Sequence, residues 1–271
     1  MNTDLMNLKK FSQKVRIDIL NMVNDAQSSH IGSCYSIVEI IVSLYCKILY
    51  VDPKNPSDVN RDKFILSKAH GSCALYATLA ELNFFPLENL KKYYVDGGLL
   101  PAHLDKTVCP GVEHSLGSLG HGLPVGVGLS FANNLDNNKG QIYVLLGDGE
   151  CNEGTIWESA LFAGHHKLNN LTVIVDFNKI QSFGNVDEIL TLDPFGKKWE
   201  SFGWDVVEID GHDFQQLIDA FMLPHKKPKV IIAHTVKGKG VSFMENNLDW
   251  HYKSPNTQQY EDALKELMIL K

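Results

Sequence analysis

The sequence predicts an α/β fold in which a parallel β-sheet carries helices on both faces. Three observations carry the prediction. Four short apolar runs, Ile142–Leu146, Leu171–Val175, Asp205–Ile209 and Lys229–Ala233, are bounded by turn residues and read as strands. Helical patterns separate them, at Ile156–Ala163 and Phe214–Phe221, and strands alternating with helices imply crossovers and parallel pairing. No internal repeat, low-complexity tract or linker interrupts the 271 residues, so 1–271 reads as one domain.

The elements follow in chain order. Leu8, Phe11, Val15, Ile19 and Met22 recur at three- and four-residue steps, which predicts an amphipathic first helix. A second helix is predicted from Ile37 to Leu49, closed off by Asp52-Pro53. Lys63–Ser67 is a short buried strand. Ala74–Leu82 is helical and ends before Pro86. The stretch from Gly97 to Gly122 is rich in Gly, Pro and His and poorly periodic, as functional loops on a rigid scaffold often are. Thr155 and Glu158 have the spacing of a capping box for the helix that follows.

Composition excludes several function classes. A net charge of −7 argues against general nucleic-acid binding, which needs a basic face. A local cluster of Lys237, Lys239, His251 and Lys253 can still attract a phosphate. No run of eighteen apolar residues suggests a membrane span, and the N-terminus lacks the pattern of a signal peptide. The five cysteines are odd in number and form no C-x-x-C, so neither a disulfide framework nor a zinc ribbon fits; a cytoplasmic setting is the expectation.

The most informative segment is Gly147-Asp148-Gly149-Glu150-Cys151-Asn152-Glu153-Gly154, with Asp176-Phe177-Asn178-Lys179-Ile180 after it. Each reads as a strand end whose turn presents an oxygen ligand. Asp148 and Asn178 lie 30 positions apart, one strand–helix–strand unit. Adjacent parallel strands then bring both to the same sheet edge, where ligands sit in open α/β folds. Hard cations such as Mg²⁺ take such oxygens, one or two carboxylates together with substrate phosphates. Either segment alone is an ordinary turn; the pairing at this spacing is what points to a site.

Gly-Asp-Gly, a gap near thirty and then Asn is similar to the metal-diphosphate motif of thiamine diphosphate enzymes. From about Lys14 to Lys253 the chain resembles the N-terminal, diphosphate-binding half of transketolase. The resemblance implies a thiamine diphosphate-binding fold. It implies thiamine diphosphate as cofactor and Mg²⁺, or another divalent cation such as Ca²⁺, as metal. Asp148, Asn178 and the carbonyl of Ile180 are the implied metal ligands, and Gly147 and Gly149 are expected to allow close backbone approach and unusual dihedrals. Because the chain stops at Lys271, the pyrimidine-binding and C-terminal domains are expected on a C-terminal partner subunit, in a heterotetramer of two plus two.

Further residues carry over by the same resemblance. Gly117-Ser118-Leu119-Gly120-His121-Gly122 resembles the Gly-Pro-Leu-Gly-Gln-Gly loop that contacts the thiamine rings; Gly117 and Leu119 match, whereas Ser118 replaces Pro and His121 replaces Gln. His30, His70, His103 and His251 sit in segments similar to Ser-Gly-His-Pro-Gly, Gly-His-Gly-Ser, Gly-His-Pro and Trp-His-Gly-Lys. The implied role of these imidazoles is to bind sugar hydroxyls and move protons, which suits a group titrating near neutrality. His70 and His251 are also implied cofactor contacts. Ile31 replaces Pro and Leu104-Asp105 replaces Pro-Glu, so the backbone near the donor sugar departs from the pattern. Glu153 resembles a glutamate near the cofactor at the subunit interface. Lys237, in Lys237-Gly238-Lys239-Gly240, resembles a lysine that assists the diphosphate end; a mobile basic loop is the alternative.

The implied reaction moves a two-carbon ketol unit from a ketose to an aldose, with the cofactor as electron sink. In the family the glutamate that activates the cofactor lies in the half absent here, so little turnover by this chain alone is expected. Four other readings compete. One is a split 2-oxo-acid enzyme. Another is a ketol transferase for an unusual sugar. A third is a non-catalytic cofactor-binding half, and the last a hydrolase using Cys151.

Overall fold

The computed structural model describes residues 3–269. The amphipathic N-terminal pattern forms α1 (Thr3–Ala26), whose Val15, Ile19 and Val23 are fully buried. The predicted second helix is a broken one. Its span of Ile37–Leu49 holds α3 (Val38–Ser43) and a π-turn at Leu44–Ile48, and a short helix outside the expected bounds, α2 (Ile31–Tyr35), precedes them. This stretch has a mean hydropathy of 1.5 over 18 residues, enough for a membrane span, yet 78% of it is buried within the fold. It is core, which is why its apolar residues run all round.

The remaining elements are β1 (Lys63–Leu66), α4 (Ser72–Glu81), α5 (Gly122–Leu135), β2 (Ile142–Gly147), α6 (Gly154–His165), β3 (Leu171–Phe177), α7 (Val186–Ile189), α8 (Phe195–Ser201), β4 (Asp205–Asp210), α9 (Phe214–Met222), β5 (Lys229–His234) and α10 (Thr257–Ile269). The five strands form one parallel sheet in the order β1-β2-β3-β5-β4. Val144, Val173, Val230 and Val206 stand in register. The face they define receives α5, where a Cβ on Gly126 would press into Val144, and α8, where one on Gly196 would reach Val206. The neighbouring residue Tyr143 points the other way and meets Phe221 of α9 edge-on. Helices therefore cover both faces, as the alternating pattern requires.

Two polar devices fasten α9. Asp213 caps its start by accepting from the Gln215 and Gln216 amides, at 2.8 and 3.2 Å. Lys229 of β5 is fully buried, and its Nζ donates to the carbonyls of Ala220, Phe221 and Leu223 at the helix end, at 2.8, 3.0 and 3.1 Å. Burial pushes Lys229 down to about 8, but three carbonyls at the negative end of a helix hold its charge. The predicted capping box does not form at α6. Thr155 lies inside the helix and its hydroxyl donates to the Gly120 carbonyl at 3.0 Å, pinning the loop instead.

Lys229→Met leaves those carbonyls without a donor and should cost about 1–3 kcal/mol in chemical denaturation. An unchanged unfolding midpoint would show that water replaces the ammonium without loss.

Candidate active site

The register of β2 against β3 pairs Gly147 with Asp176, so both strands end at one edge of the sheet. Asp148 follows the first and Asn178 the second, which is what their 30-residue spacing predicts. Asp148 is 3% exposed. Its Oδ1 accepts from Gly149 N at 2.7 Å and its Oδ2 from Lys179 N at 2.6 Å, locking the two turns together. Asn178 donates through Nδ2 to Asp176 at 2.9 Å, while its Oδ1 accepts from Ile180 N at 3.1 Å, so its orientation is fixed. Burial, and then the charge of Asp176, push Asp148 up to about 6.

A cleft opens above this edge. Of the residues expected there, Asp148, Asn178, Ile180, Gly147, Gly149, Gly117, Leu119, Lys237 and the four histidines His30, His70, His103 and His251 all line it. Glu153 does not. It stands exposed at the N-cap of α6, outside the cleft wall. Gly147 and Gly149 both lack the positive φ that was expected of them. Space demands glycine at Gly149 alone, where a Cβ would press the Gln181 side chain at 2.9 Å; at Gly147 a Cβ would meet nothing closer than Lys68 at 3.8 Å.

The histidines come from four separate segments. Ring centroids lie 5.2 Å apart for His30 and His70, 5.1 Å for His30 and His251, and 6.3 Å for His30 and His103. His30 caps α2 from a left-handed backbone (φ 72°), and its amide donates to the His251 carbonyl at 2.8 Å. The irregular loop bearing His103 is strapped to α4, where Ser72 donates to the Ala102 carbonyl at 2.6 Å and Tyr76 to that of His103 at 3.4 Å. Burial comes first in lowering three of these imidazoles. His30 falls to about 4, with His103 and Lys237 adding to the shift. His251 falls to about 3, with Lys237 and His30 adding. His70 is held well below its usual value, with Lys68 adding. Neutral imidazoles can donate and accept at once, which is what a sugar hydroxyl requires.

Lys237 is 1% exposed, and its loop is bonded on both sides rather than mobile. Its Nζ donates to the Ile180 carbonyl at 2.9 Å and to His251 Nδ1 at 2.7 Å. Burial and the charge of Lys68 push it down to about 8. The expected phosphate cluster is split. Lys237 and His251 line the cleft, but Lys239 pairs with Glu245 at 3.4 Å and Lys253 lies over the Trp250 ring. His121 is exposed, with its ring on the Leu119 carbonyl, and His165 and His166 sit at the end of α6. Cys151 is fully buried and bonded to the Gly147 carbonyl at 3.3 Å, and burial drives its thiol well above the usual range. It lies outside the cleft, which overturns the hydrolase reading.

Sequence reasoning missed several lining residues. Lys68 reaches the buried Asp176 at 2.5 Å. Glu150 accepts from Ser67, from Gly120 N at 2.8 Å and from Gly147 N at 3.0 Å, so it ties the Gly117–Gly122 loop to the Asp148 turn. Its position directly after Gly-Asp-Gly was the available signal. Tyr252, 60% exposed, packs at the cleft mouth with its ring 4.6 Å from His251 and 5.7 Å from His30.

A family profile described as "Transketolase, thiamine diphosphate binding domain" matches residues 8–266. The chain belongs to the transketolase family. Over 264 residues it is 44% identical to an apulose-4-phosphate transketolase subunit from Actinobacillus succinogenes, covering 96% of this chain and 95% of that one. It is 37% identical to the 6-deoxy-6-sulfo-D-fructose transketolase subunit SqwG of a Clostridium species, with 98% of each covered. The fold superposes on the crystal structure of Campylobacter jejuni transketolase with a TM-score of 0.91 and 30% identity. That match covers 99% of this chain but 43% of the solved one, so the chain spans less than half of that transketolase. The thiamine diphosphate-binding domain of the family is thus the part present here.

The depressed histidines set the pH response of this transketolase-family domain. A histidine whose folded pKa lies below its unfolded value of 6.5 binds more protons when unfolded. Its contribution to stability is therefore complete above pH 6.5 and is lost as the pH falls towards about 4 for His30 and 3 for His251. Thermal unfolding should show Tm falling from neutral to mildly acid pH, and less steeply in His30→Gln/His251→Gln. Parallel pH profiles for the two proteins would contradict the assignment.

Proposed function

We propose that this chain is the diphosphate-binding subunit of a thiamine diphosphate-dependent ketol transferase, completed by a second chain. One observation supports this above the others: four imidazoles, three of them held neutral by burial, open onto the same cleft as the Asp148, Asn178 and Ile180 oxygens. Three relatives that match end to end are named as transketolase subunits, which supports a partner chain carrying the remaining domains. The assembly we propose is a heterotetramer of two plus two, and the exposure of Glu153 beside the Gly120 loop supports a subunit boundary there. The five unpaired cysteines suit a reducing, cytoplasmic setting.

The residues fit a divalent cation and a diphosphate. Asp148 is a buried carboxylate whose hydrogen bonds are both to backbone amides, while Lys68 acts on it only through space. With the Asn178 amide oxygen and the Ile180 carbonyl it makes an all-oxygen set, the preference of Mg²⁺ or Ca²⁺. The Ile180 carbonyl already receives a positive group, the Lys237 ammonium. Asp148, Asn178 and Ile180 would hold the metal, and Lys237 and the Gly149 backbone would face the diphosphate. Gly117 and Leu119 would border the rings.

Thiamine diphosphate, when bound, supplies the electron sink for breaking and making the bond beside the ketose carbonyl. The protein's share is to bind, orient and move protons. His30, His70, His103 and His251 offer donors and acceptors to the sugar hydroxyls. Lys237 donates to His251 Nδ1, so that ring carries its proton on Nε2 and presents a donor. The names of the relatives favour a specialised ketose or aldose over the common sugar phosphates, and Tyr252 narrows the mouth through which it would enter.

Asp148→Ala should weaken Mg²⁺-dependent thiamine diphosphate binding by on the order of 100-fold in calorimetric titration, since even outer-shell changes cost 10–100-fold at metal sites. Binding at wild-type affinity would overturn the metal assignment. Sugar-dependent turnover by the purified single chain, at rates typical of an enzyme, would overturn the need for a partner.

A further inference from the structure

The segment 236–240 follows β5 and carries Lys237, yet its shape is set from outside the cleft. His212 lies in the turn between β4 and α9, with its side chain 12% exposed. Its Nε2 accepts the Val236 N–H at 2.8 Å. A ring nitrogen that accepts a backbone N–H carries no proton, so Nδ1 holds it and donates to Glu39 Oε2 at 2.9 Å. Glu39 is buried in α3 and takes both arms of Arg16, at 2.6 and 2.8 Å. Burial would raise the Glu39 carboxyl, but Arg16 and His212 together bring it down to about 2.

Arg16 closes the circuit. Its Nε donates to the Lys239 carbonyl at 2.9 Å and one guanidinium arm to the Tyr35 carbonyl at 3.3 Å. The backbone amide just before Lys237 and the backbone carbonyl just after Gly238 are thus tied, through His212 and Arg16, to one carboxylate. Between them Gly238 takes φ +81° where a Cβ would collide with the Met244 backbone. A segment held at both ends and tight in its middle gives the Lys237 side chain a single starting point. From there its Nζ reaches Ile180 and His251.

We propose that His212, acting through Glu39 and the Val236 amide, is a positioning residue that aims Lys237 at the diphosphate of the cofactor. The inference rests on the thiamine diphosphate reading of the cleft. The ring hydrogen bonds of His212 go to Glu39 and to the Val236 amide, neither of which lines the cleft, and charge alone does not explain it, because the ring is wanted as an acceptor on one side and a donor on the other.

The test is a double-mutant cycle read by calorimetric titration of thiamine diphosphate with Mg²⁺ into the full chain purified together with its partner subunit. His212→Leu should weaken binding about tenfold, the scale of supporting residues at such sites. His212→Gln, which keeps an acceptor for Val236 and a donor for Glu39, should bind within about twofold of wild type. In a Lys237→Met background His212→Leu should cost nothing further, because the residue it aims is gone. If His212→Leu does not fold, His212→Asn, too short for the Val236 amide, takes its place in the cycle. Losses that add in the double variant, or that His212→Gln shares, overturn the inference while leaving the cofactor reading intact. No binding by the wild-type complex overturns the cofactor reading and the inference with it.

Discussion

The buried contact between Lys68 and Asp176 is the constraint on which the site depends. Asp176 is fully buried near the end of β3 and Lys68 is 1% exposed after β1. Neither charge is tolerable alone at that depth, since an unpaired buried ion costs several kcal/mol. Burial would raise the Asp176 carboxyl, but the Lys68 ammonium and a full set of hydrogen bonds leave it below the usual range. Ser36 donates from the segment between α2 and α3 at 2.7 Å, Thr235 from the end of β5, and Asn178 at 2.9 Å. Lys68 also donates to the Ser33 carbonyl at 3.2 Å. One carboxylate thereby fixes the ends of three strands and the start of the apolar helical stretch. Asn178 owes its orientation to it.

The same pair sets the electrostatics of the cleft. Asp176 lies close enough for its charge to add to burial in raising the Asp148 carboxyl, against the Gly149 and Lys179 amides and Lys68. Lys68 and Lys237, beneath the histidines, work in the opposite sense and add to burial in keeping the imidazoles neutral. The proposed ketol transfer draws on both properties at once, a carboxylate open to a cation at one end and uncharged imidazoles at the other. The fold separates them by drawing the oxygens from β2 and β3 and the histidines from four segments that converge on the same edge.

What the sequence made legible was local. Periodicity exposed the strands and α1, and the 30-residue spacing of Asp148 and Asn178 translated directly into adjacent strand ends. The histidines were legible only through their flanking motifs, because nothing local shows that four distant segments meet. Lys68, 108 positions from Asp176, and His212, 173 from Glu39, gave no signal, since a buried ion pair is invisible until the chain is folded. Thr155 and Glu158 had the spacing of a capping box, but tertiary demand from Gly120 claimed the threonine hydroxyl. Glu153 carried a motif resemblance, yet it faces outward here, where its role depends on what covers that surface.

At the centre stands the proposal that this chain is the cofactor-holding part of a two-chain ketol transferase. Native mass spectrometry of the chain purified from its own cells, with Mg²⁺ kept present, addresses it most directly. The expected result is a complex that contains two copies of this chain, two of a second chain, and bound thiamine diphosphate. A lone chain or simple homodimer that stays free of cofactor after thiamine diphosphate is added would contradict it.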